Sequence, residues 1–277
     1  MEKPLVSIII RTCGRPMLLK KALESVEKQE YPYIETIVVE DGENVSEQMI
    51  RDNFPGLKCL YFYTKKKVGR CVTGNIGLEH AHGKYVNFLD DDDIFLTNHV
   101  TVLVDSLMKG KEKAAYSIAE EQQIVKRDVK QGTFKVKRKF VRYRQPFNRL
   151  LLCYLNYIPI QSIMFEKELY EEHGGFDEKL NLLEDWDLWV RYALETDYLF
   201  IPVITSVYYT PYKGTKTRGK DLQQAENVVK QKYVSYFPKL NVEKINKEME
   251  YILNTYQKKG IYVYMKKLRD FILYRDN

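Results

Sequence analysis

An α/β fold with a mostly parallel central sheet is what this sequence predicts, and three observations predict it. Over the first 110 residues, short aliphatic and β-branched runs alternate with segments of helical periodicity, the order that lays helices on the faces of a sheet. The runs are apolar at most positions, as in strands covered on both faces. Polar and turn-forming residues follow them, and in such sheets these gather beyond the strands' carboxyl ends, where ligands bind.

In chain order, Val6-Ser-Ile-Ile-Ile10 is the first strand, closed by the turn Arg11-Thr-Cys-Gly-Arg-Pro16. Leu18, Leu19, Ala22, Leu23 and Val26 then recur at helical spacing behind a proline suited to a helix's first turn. Ile34-Glu-Thr-Ile-Val-Val39 and Lys58-Cys-Leu-Tyr-Phe62 are the second and third strands, with a short helix over 45–51 between them. A helix over 70–81, a strand at Tyr85-Val-Asn-Phe-Leu89 and a helix over 97–107 complete this part. From residue 114 the texture changes. A strand over 115–119 leads into a basic stretch whose alternation around Phe134, Val136, Phe140 and Tyr143 predicts an antiparallel ribbon with one wet face. A strand over 160–165 and a short helix follow, then a helical stripe of Leu188, Trp189, Tyr192 and Ala193. Residues 198–207 read as paired extended segments around Pro202, and 212–220, without an apolar anchor, as a mobile loop. The tail from Asp221 is mostly helical by pattern; over 256–274 its lysines and aromatic residues form a basic amphipathic face suited either to anionic lipid or to docking on the chain's own domain.

Composition narrows the class. The chain has 277 residues, of which 44% are hydrophobic and 30% charged, which excludes a short peptide and a disordered or collagen-like polymer. No apolar run is long enough to cross a bilayer, and the start leads into a strand rather than a signal peptide, so a cytoplasmic chain is expected. A formal charge of +6 favours anionic partners without naming one. Cys13, Cys59, Cys71 and Cys153 lack metal-ligand or disulfide-framework spacing and read as reduced and structural.

The strongest chemical signal is Asp90-Asp91-Asp92-Asp93 directly after the fourth strand. Crowded carboxylates repel and raise one another's proton affinity, and a hard divalent cation relieves that repulsion while offering charge to a diphosphate. The plain alternative is a solvated acidic turn. Asp41, after the second strand and before Gly42, falls on the same rim and can accept hydrogen bonds from a nucleobase or ribose, or can instead cap the next helix. Neither a Gly-x-Gly-x-x-Gly fingerprint nor a Walker A loop is present. Glu184-Asp185 opens the last clear helix of this region, where acids suit a helix N-terminus. That position predicts an Asp185 of lowered proton affinity. Asp187 falls roughly 200° further round the helix.

Taken in order, Val6-Ser-Ile-Ile-Ile-Arg-Thr with Arg15-Pro16, Ile37-Val-Val-Glu-Asp-Gly42, Gly69-Arg70 with Asn75-Ile-Gly77, Lys84-Tyr-Val-Asn-Phe-Leu-Asp-Asp-Asp-Asp93, and Gly174-Gly-Phe-Asp-Glu178 with Glu184-Asp-Trp-Asp-Leu-Trp189 resemble the family 2 glycosyltransferases, including their bacterial members. The resemblance runs over about residues 5–210. It implies the GT-A Rossmann-like fold: a nucleotide-sugar half over 1–110, an acceptor-binding and catalytic half of the same domain over 111–220 with a smaller antiparallel part, and a helical extension over 221–277. It further implies an inverting, metal-dependent transfer of a hexose-type unit from a nucleoside diphosphate sugar, UDP-linked by default, to a saccharide or lipid-linked saccharide, as in polysaccharide synthesis. Thr12, Arg15, Asp41, Arg70, Asp90 and Asp91 would hold the donor, and Asp90 and Asp92 a Mn²⁺ or Mg²⁺ ion. Asp185 would be the base, Glu184, Trp186 and Trp189 would face the acceptor, and Lys216 and Arg218 would lie in a loop closing over the diphosphate. Glu40 departs mildly from the family's usual acid at that position.

Two other functions fit parts of the chain. The basic stretch over 126–144 with its interleaved aromatics could bind nucleic acid, although a separate acidic cluster argues against that partner. A sugar-nucleotide pyrophosphorylase would use a similar sheet but has no nucleotidyl-transfer signature here. Peripheral contact with the inner face of a membrane is assigned to the basic tail.

Overall fold

A computed structural model describes residues 3–213 and 216–233. Its strands are β1 (Val6–Thr12), β2 (Ile34–Glu40), β3 (Cys59–Tyr63), β4 (Tyr85–Asp90), β5 (Ile94–Phe95), β6 (Ala114–Asp128), β7 (Thr133–Val141), β8 (Ile163–Glu166) and β9 (Tyr198–Pro211). Its helices are α1 (Pro16–Glu27), α2 (Glu47–Asn53), α3 (Arg70–Glu79), α4 (His99–Lys109), α5 (Arg149–Tyr154), α6 (Lys167–His173), α7 (Glu184–Ala193) and α8 (Lys216–Tyr233). One sheet runs β3-β2-β1-β4-β8-β6-β9-β5, and β7 pairs with β6 off this path. The first four strands are parallel. β8 is antiparallel to both β4 and β6, while β6 and β9 run parallel to each other, so the predicted mostly parallel sheet is a mixed one beyond β4.

The period of two in the strands sorts their side chains into two cores. Ile8, Ile10, Val38 and Leu89 pack with the buried faces of α1 and α4. Ile9, Ile37, Val39 and Phe88 point the other way, toward Leu78 of α3, Leu150–Leu152 of α5 and Trp186 and Trp189 of α7. Burial on both faces is why the strands read as apolar runs rather than alternations.

The Asn-x-Gly and Gly-Gly-Phe segments turn out to be one joint. The Asn75 side-chain carbonyl accepts from the Phe176 amide at 2.7 Å, and its amide group donates to the Phe176 carbonyl at 3.1 Å. Gly77 lies so close to Ile9, and Gly175 to Asn75, that a Cβ on either would collide. These residues lock α3 onto β1 and onto the segment that leads to α7.

Three expectations are corrected. Residues 198–207 are not two paired segments but part of a single 14-residue strand, β9, whose register with β6 shifts on either side of Ile118 and so absorbs the irregularity around Pro202. The predicted mobile loop over 212–220 is largely the first turn of α8 from Lys216 onward; the side chains of Lys216 and Arg218 lie outside the described residues. The helix expected to start at residue 97 starts at His99, because the chain first adds the two-residue β5 beside β9. α8 docks on its own domain through buried Val229 and Tyr233, with the Tyr233 hydroxyl donating to Asp187 at 2.8 Å. The basic face over 256–274 lies outside the described residues.

Candidate active site

The rim of the parallel strands carries a cavity of about 370 Å³ lined by Arg11, Thr12, Arg15, Asp41, Lys67, Arg70 and Asp90 among others. The fold therefore gathers Thr12, Arg15, Asp41, Arg70 and Asp90 into one place from four separate segments. Asp41 stays at the end of β2 and accepts from the Val68 amide at 2.7 Å and the Gly69 amide at 3.2 Å. It thus holds the turn into α3, where Gly69 has φ 93°, rather than capping α2. Arg70, the first residue of α3, is about half exposed on the cavity wall.

The acidic run is neutralised chiefly by arginine. Arg11 gives two hydrogen bonds, of 2.7 and 3.0 Å, to one oxygen of Asp90. Arg15 binds Asp91 through Nε at 2.9 Å and through Nη2, and Arg127 reaches Asp92 at 2.6 Å. Asp93 accepts from the Tyr209 amide of β9 at 3.1 Å. These arginines screen the run only in part: Asp93 is still raised well above the usual carboxylate range, by burial first and then by Asp92 and Asp90, so the crowding expected from the sequence is present. Thr12 donates its hydroxyl to Asp91 at 2.7 Å, so Thr12 and Arg15 position the acidic turn from the cavity wall that they also line. Asp90, although burial opposes ionisation, is held below the usual carboxylate range by Arg11. Asp91 is pushed up to about 7 by burial, against the pull of Arg15.

The donor set still fits a divalent cation. Asp90 and Asp92 are partly exposed, and each uses one oxygen for arginine and leaves the other without a partner among the described residues. Hard cations take oxygen ligands, and Mg²⁺ in particular is held by one or two carboxylates with substrate phosphates completing its shell. No group of three or more His, Cys, Asp or Glu side chains suited to a metal occurs among the described residues, so such an ion would depend on the substrate's oxygens.

Arg11 links this rim to α7. Its guanidinium, 6% exposed, bonds Asp90 on one side and Glu184 at 3.0 Å on the other, beneath the rings of Phe88 and Phe176. Burial opposes a charged guanidinium, yet the two carboxylates raise its proton affinity beyond that of a free arginine. Arg70 lies 3.7 Å from Glu184 as well. Leu183, immediately before the pair, adopts the left-handed conformation at φ 60°, which in a branched residue costs roughly 1–2 kcal/mol. Tertiary contacts hold the turn that aims these two acids.

Asp185 differs from its neighbour. It is half-buried, pairs with no cation among the described residues, and accepts from the Asn156 amide at 3.3 Å and from the Trp186 backbone at 2.8 Å. Burial and the adjacent Glu184 push its carboxyl up to about 7. The lowering expected from a helix N-terminus is overturned here, because those two effects outweigh it. Asp187, further round the helix, is buried in an ion-pair cluster with Arg191 at 3.0 Å and Lys232 at 2.7 Å.

A second cavity, about 830 Å³, opens beyond Asn156 and is lined by Arg142, Tyr154, Asn156, Trp186, Tyr208 and residues of α8 including Lys230. Its far wall is built on Glu121, a buried carboxylate that accepts two bonds from Arg142, one from Tyr208 at 2.9 Å and one from Thr210 at 2.7 Å. Trp186 reaches this cavity only by an edge, being 1% exposed with its indole N–H given to the Leu152 carbonyl. Trp189 is fully buried against Phe165 and has no face for a ligand, which removes it from the expected acceptor set.

Sequence reasoning missed Arg11, Glu40, Asn156 and the Glu121 cluster. Glu40 is fully buried and accepts from the Gly14 amide at 2.7 Å and the Tyr61 hydroxyl at 3.0 Å, so it holds the loop after β1. The one available signal was a charged residue inside a strand otherwise too apolar to tolerate it, as at Arg11 and Glu40. Nothing local marks Asn156 or Glu121.

With this geometry in hand, comparison with known proteins is specific. Residues 7–174 match the family described as Glycosyl transferase family 2. The protein named uncharacterized glycosyltransferase YwdF of Bacillus subtilis is 29% identical over 205 residues, 73% of either chain. The fold is shared with S. aureus TarS 1-349 in complex with UDP, at a TM-score of 0.65 and 15% identity, covering 99% of this chain and 73% of that one. Of the longer TarS chain, 42% is covered. It is shared too with the mannosyltransferase PcManGT from Pyrobaculum calidifontis, solved with GDP-Man and Mn2+, at a TM-score of 0.58 and 14% identity, covering 100% of this chain and 89% of that one.

Proposed function

The chain belongs to glycosyl transferase family 2, and on that footing we propose that it inverts configuration as it moves a hexose-type unit from a nucleoside diphosphate sugar, UDP-linked, to a saccharide hydroxyl. One observation carries the reading: the consecutive acids of α7 are held by residues that line two different cavities. Glu184 bonds Arg11 and approaches Arg70 on the wall of the first, whereas Asp185 is held by Asn156 on the wall of the second. A donor in the first cavity and an acceptor in the second would meet at the N-terminus of α7.

The residues divide the chemistry accordingly. Asp41 and the turn it holds form the floor for the nucleoside, and Lys67 and Arg70 are cations available to the diphosphate. Asp90 and Asp92 would hold a divalent ion, which when bound supplies positive charge to the departing diphosphate. Asp185 takes the proton of the acceptor hydroxyl while that oxygen forms its bond to the anomeric carbon and the bond to the diphosphate oxygen breaks. A carboxylate raised to about 7 by burial and by Glu184 is better matched to that task at neutral pH than an ordinary aspartate. The Glu121 cluster with Arg142, Tyr208 and Thr210 forms the acceptor surface, offering hydroxyl and guanidinium groups as saccharide recognition requires. The domain division at about residues 110 and 220 is retained as part of this proposal. The relatives solved with UDP and with GDP-Man and Mn2+ support a nucleotide donor and a metal as reasonable first probes.

The test is hydrolysis of a panel of nucleotide sugars by the full chain with Mn²⁺, with Mg²⁺ and with chelator, alongside Asp92→Asn. Metal-dependent turnover of one donor class that Asp92→Asn sharply reduces is the expected result. Full activity of that variant in chelator sinks the metal assignment, and turnover of none of the donors sinks the donor class.

A further inference from the structure

The hairpin of β6 and β7 carries a charge that the site does not use. Lys126, Lys130, Lys135, Lys137, Arg138 and Lys139 are all exposed, with only Asp128 opposing them over this stretch. None of the six forms an ion pair among the described residues, whereas the seventh cation, Arg127, turns inward to Asp92 at 2.6 Å. The ladder does not compensate them either. Lys135 stands opposite Val125, Arg138 opposite Gln123 and Lys139 opposite Gln122, so no acid faces a base across the strands. Such crowding of like charge opposes hairpin formation, and folding alone gives no reason for it.

Apolar side chains are exposed among these cations. Val129, at the tip, is 38% exposed. Met17, also 38% exposed, lies beside the tip, where its backbone approaches Gly132 so closely that a Cβ there would collide. A cationic surface with protruding aliphatic groups is what an anionic bilayer interface accepts. A single-stranded nucleic acid would instead need free aromatic faces. Those of the hairpin are taken: Phe134 packs on Tyr209 at 4.5 Å beneath Lys21, and Phe140 lies under Arg138 and Arg142.

We propose that the β6–β7 hairpin is a docking surface for an anionic membrane, its lysines meeting lipid phosphates while Val129 and Met17 enter the interfacial layer. This goes beyond the catalytic reading and does not depend on it. Because Arg127 of the same hairpin touches Asp92, docking holds the acidic rim close to the plane of the membrane, within reach of an acceptor carried on a lipid.

The test is co-sedimentation of the full chain with phosphatidylcholine vesicles with and without phosphatidylglycerol. Each basic residue at such a surface is worth about fivefold in partition, so the combined Lys135→Glu, Lys137→Glu and Lys139→Glu variant is expected to bind the anionic vesicles at least about a hundredfold more weakly. Its melting temperature and its turnover of nucleotide sugar in solution should be unchanged. Val129→Asp should weaken binding by a smaller factor. Vesicle binding that survives the hairpin reversal but is lost with Lys258→Glu, Lys259→Glu and Lys266→Glu overturns the proposal in favour of the tail. Absence of binding to anionic vesicles by the unaltered chain overturns it outright, as does a hairpin variant that loses affinity for an RNA homopolymer while keeping full affinity for vesicles.

Discussion

Asp90 and Asp185 begin alike, each an aspartate beside another acid at the edge of a regular element, and they end in opposite electrostatic states. Asp90 receives two hydrogen bonds from a buried arginine and sits below the ordinary carboxylate range. Among the described residues Asp185 receives only neutral donors, and burial together with Glu184 lifts it to about 7. The difference lies in where Arg11 directs its guanidinium: two bonds to Asp90, one to Glu184 and one to the Arg70 carbonyl, one residue short of Asp185. A carboxylate bonded by arginine through one oxygen, with the other oxygen without a partner among the described residues, is suited to hold geometry or a cation, and one with no cation partner among those residues is suited to move a proton. That contrast underlies the division of labour proposed for the two acidic clusters.

The largest effect should come from breaking the contrast at Asp185. Asp185→Asn keeps the shape and the Asn156 contact but removes the base, and transfer to acceptor should fall by about 10² to 10⁴. Donor affinity, measured by titration with the nucleotide sugar, should stay near its original value. Asp187→Asn is no neutral control for this experiment, because Asp187 anchors Arg191, Lys232 and Tyr233 inside the core. Transfer at an undiminished rate by Asp185→Asn would move the base elsewhere, first to Glu184.

Next in size is the loss of Arg11 itself. Arg11→Met leaves two carboxylates without their buried partner, and breaking such a pair typically costs about 3–5 kcal/mol. Thermal or denaturant unfolding should register that loss. Arg11→Lys, which keeps charge but not the forked geometry, should recover only part of it. A stability equal to that of the unaltered chain would mean that the two acids find other partners, and the bridge between β1 and α7 would lose its importance.

The smallest and sharpest test is the pH profile. A base raised to about 7 is protonated below that value and ionised above it, so kcat/KM should rise about tenfold per pH unit below 7 and level off above it. Glu184→Gln removes the neighbouring negative charge that helps to raise Asp185, and the acidic limb should then shift to lower pH. A limb near pH 4 in the unaltered chain would remove the electrostatic distinction between the two aspartates.

What the sequence by itself determined is local and periodic. Runs apolar on both faces required strands covered on both faces, and their alternation with helical stripes required a layered sheet with polar groups at its rim; β1, β2, β4 and α7 are found where those patterns place them. The ordered motifs carried the family, and they include Asp41 and Asp90, which line one cavity, and Glu184-Asp185, which bond residues lining the first and the second cavity respectively. Tertiary structure alone decided the charge states. Arg11 meets Glu184 across 173 positions and Asp90 across 79, and Asn156 meets Asp185 across 29; no period or spacing encodes such pairings. It also decided that Trp189 is core rather than binding surface, since a helical stripe of aromatics looks the same in both roles until the opposing layer is known. Electrostatics acts through distance in space and through burial, and both are properties of the folded chain that a linear pattern of residue types does not contain.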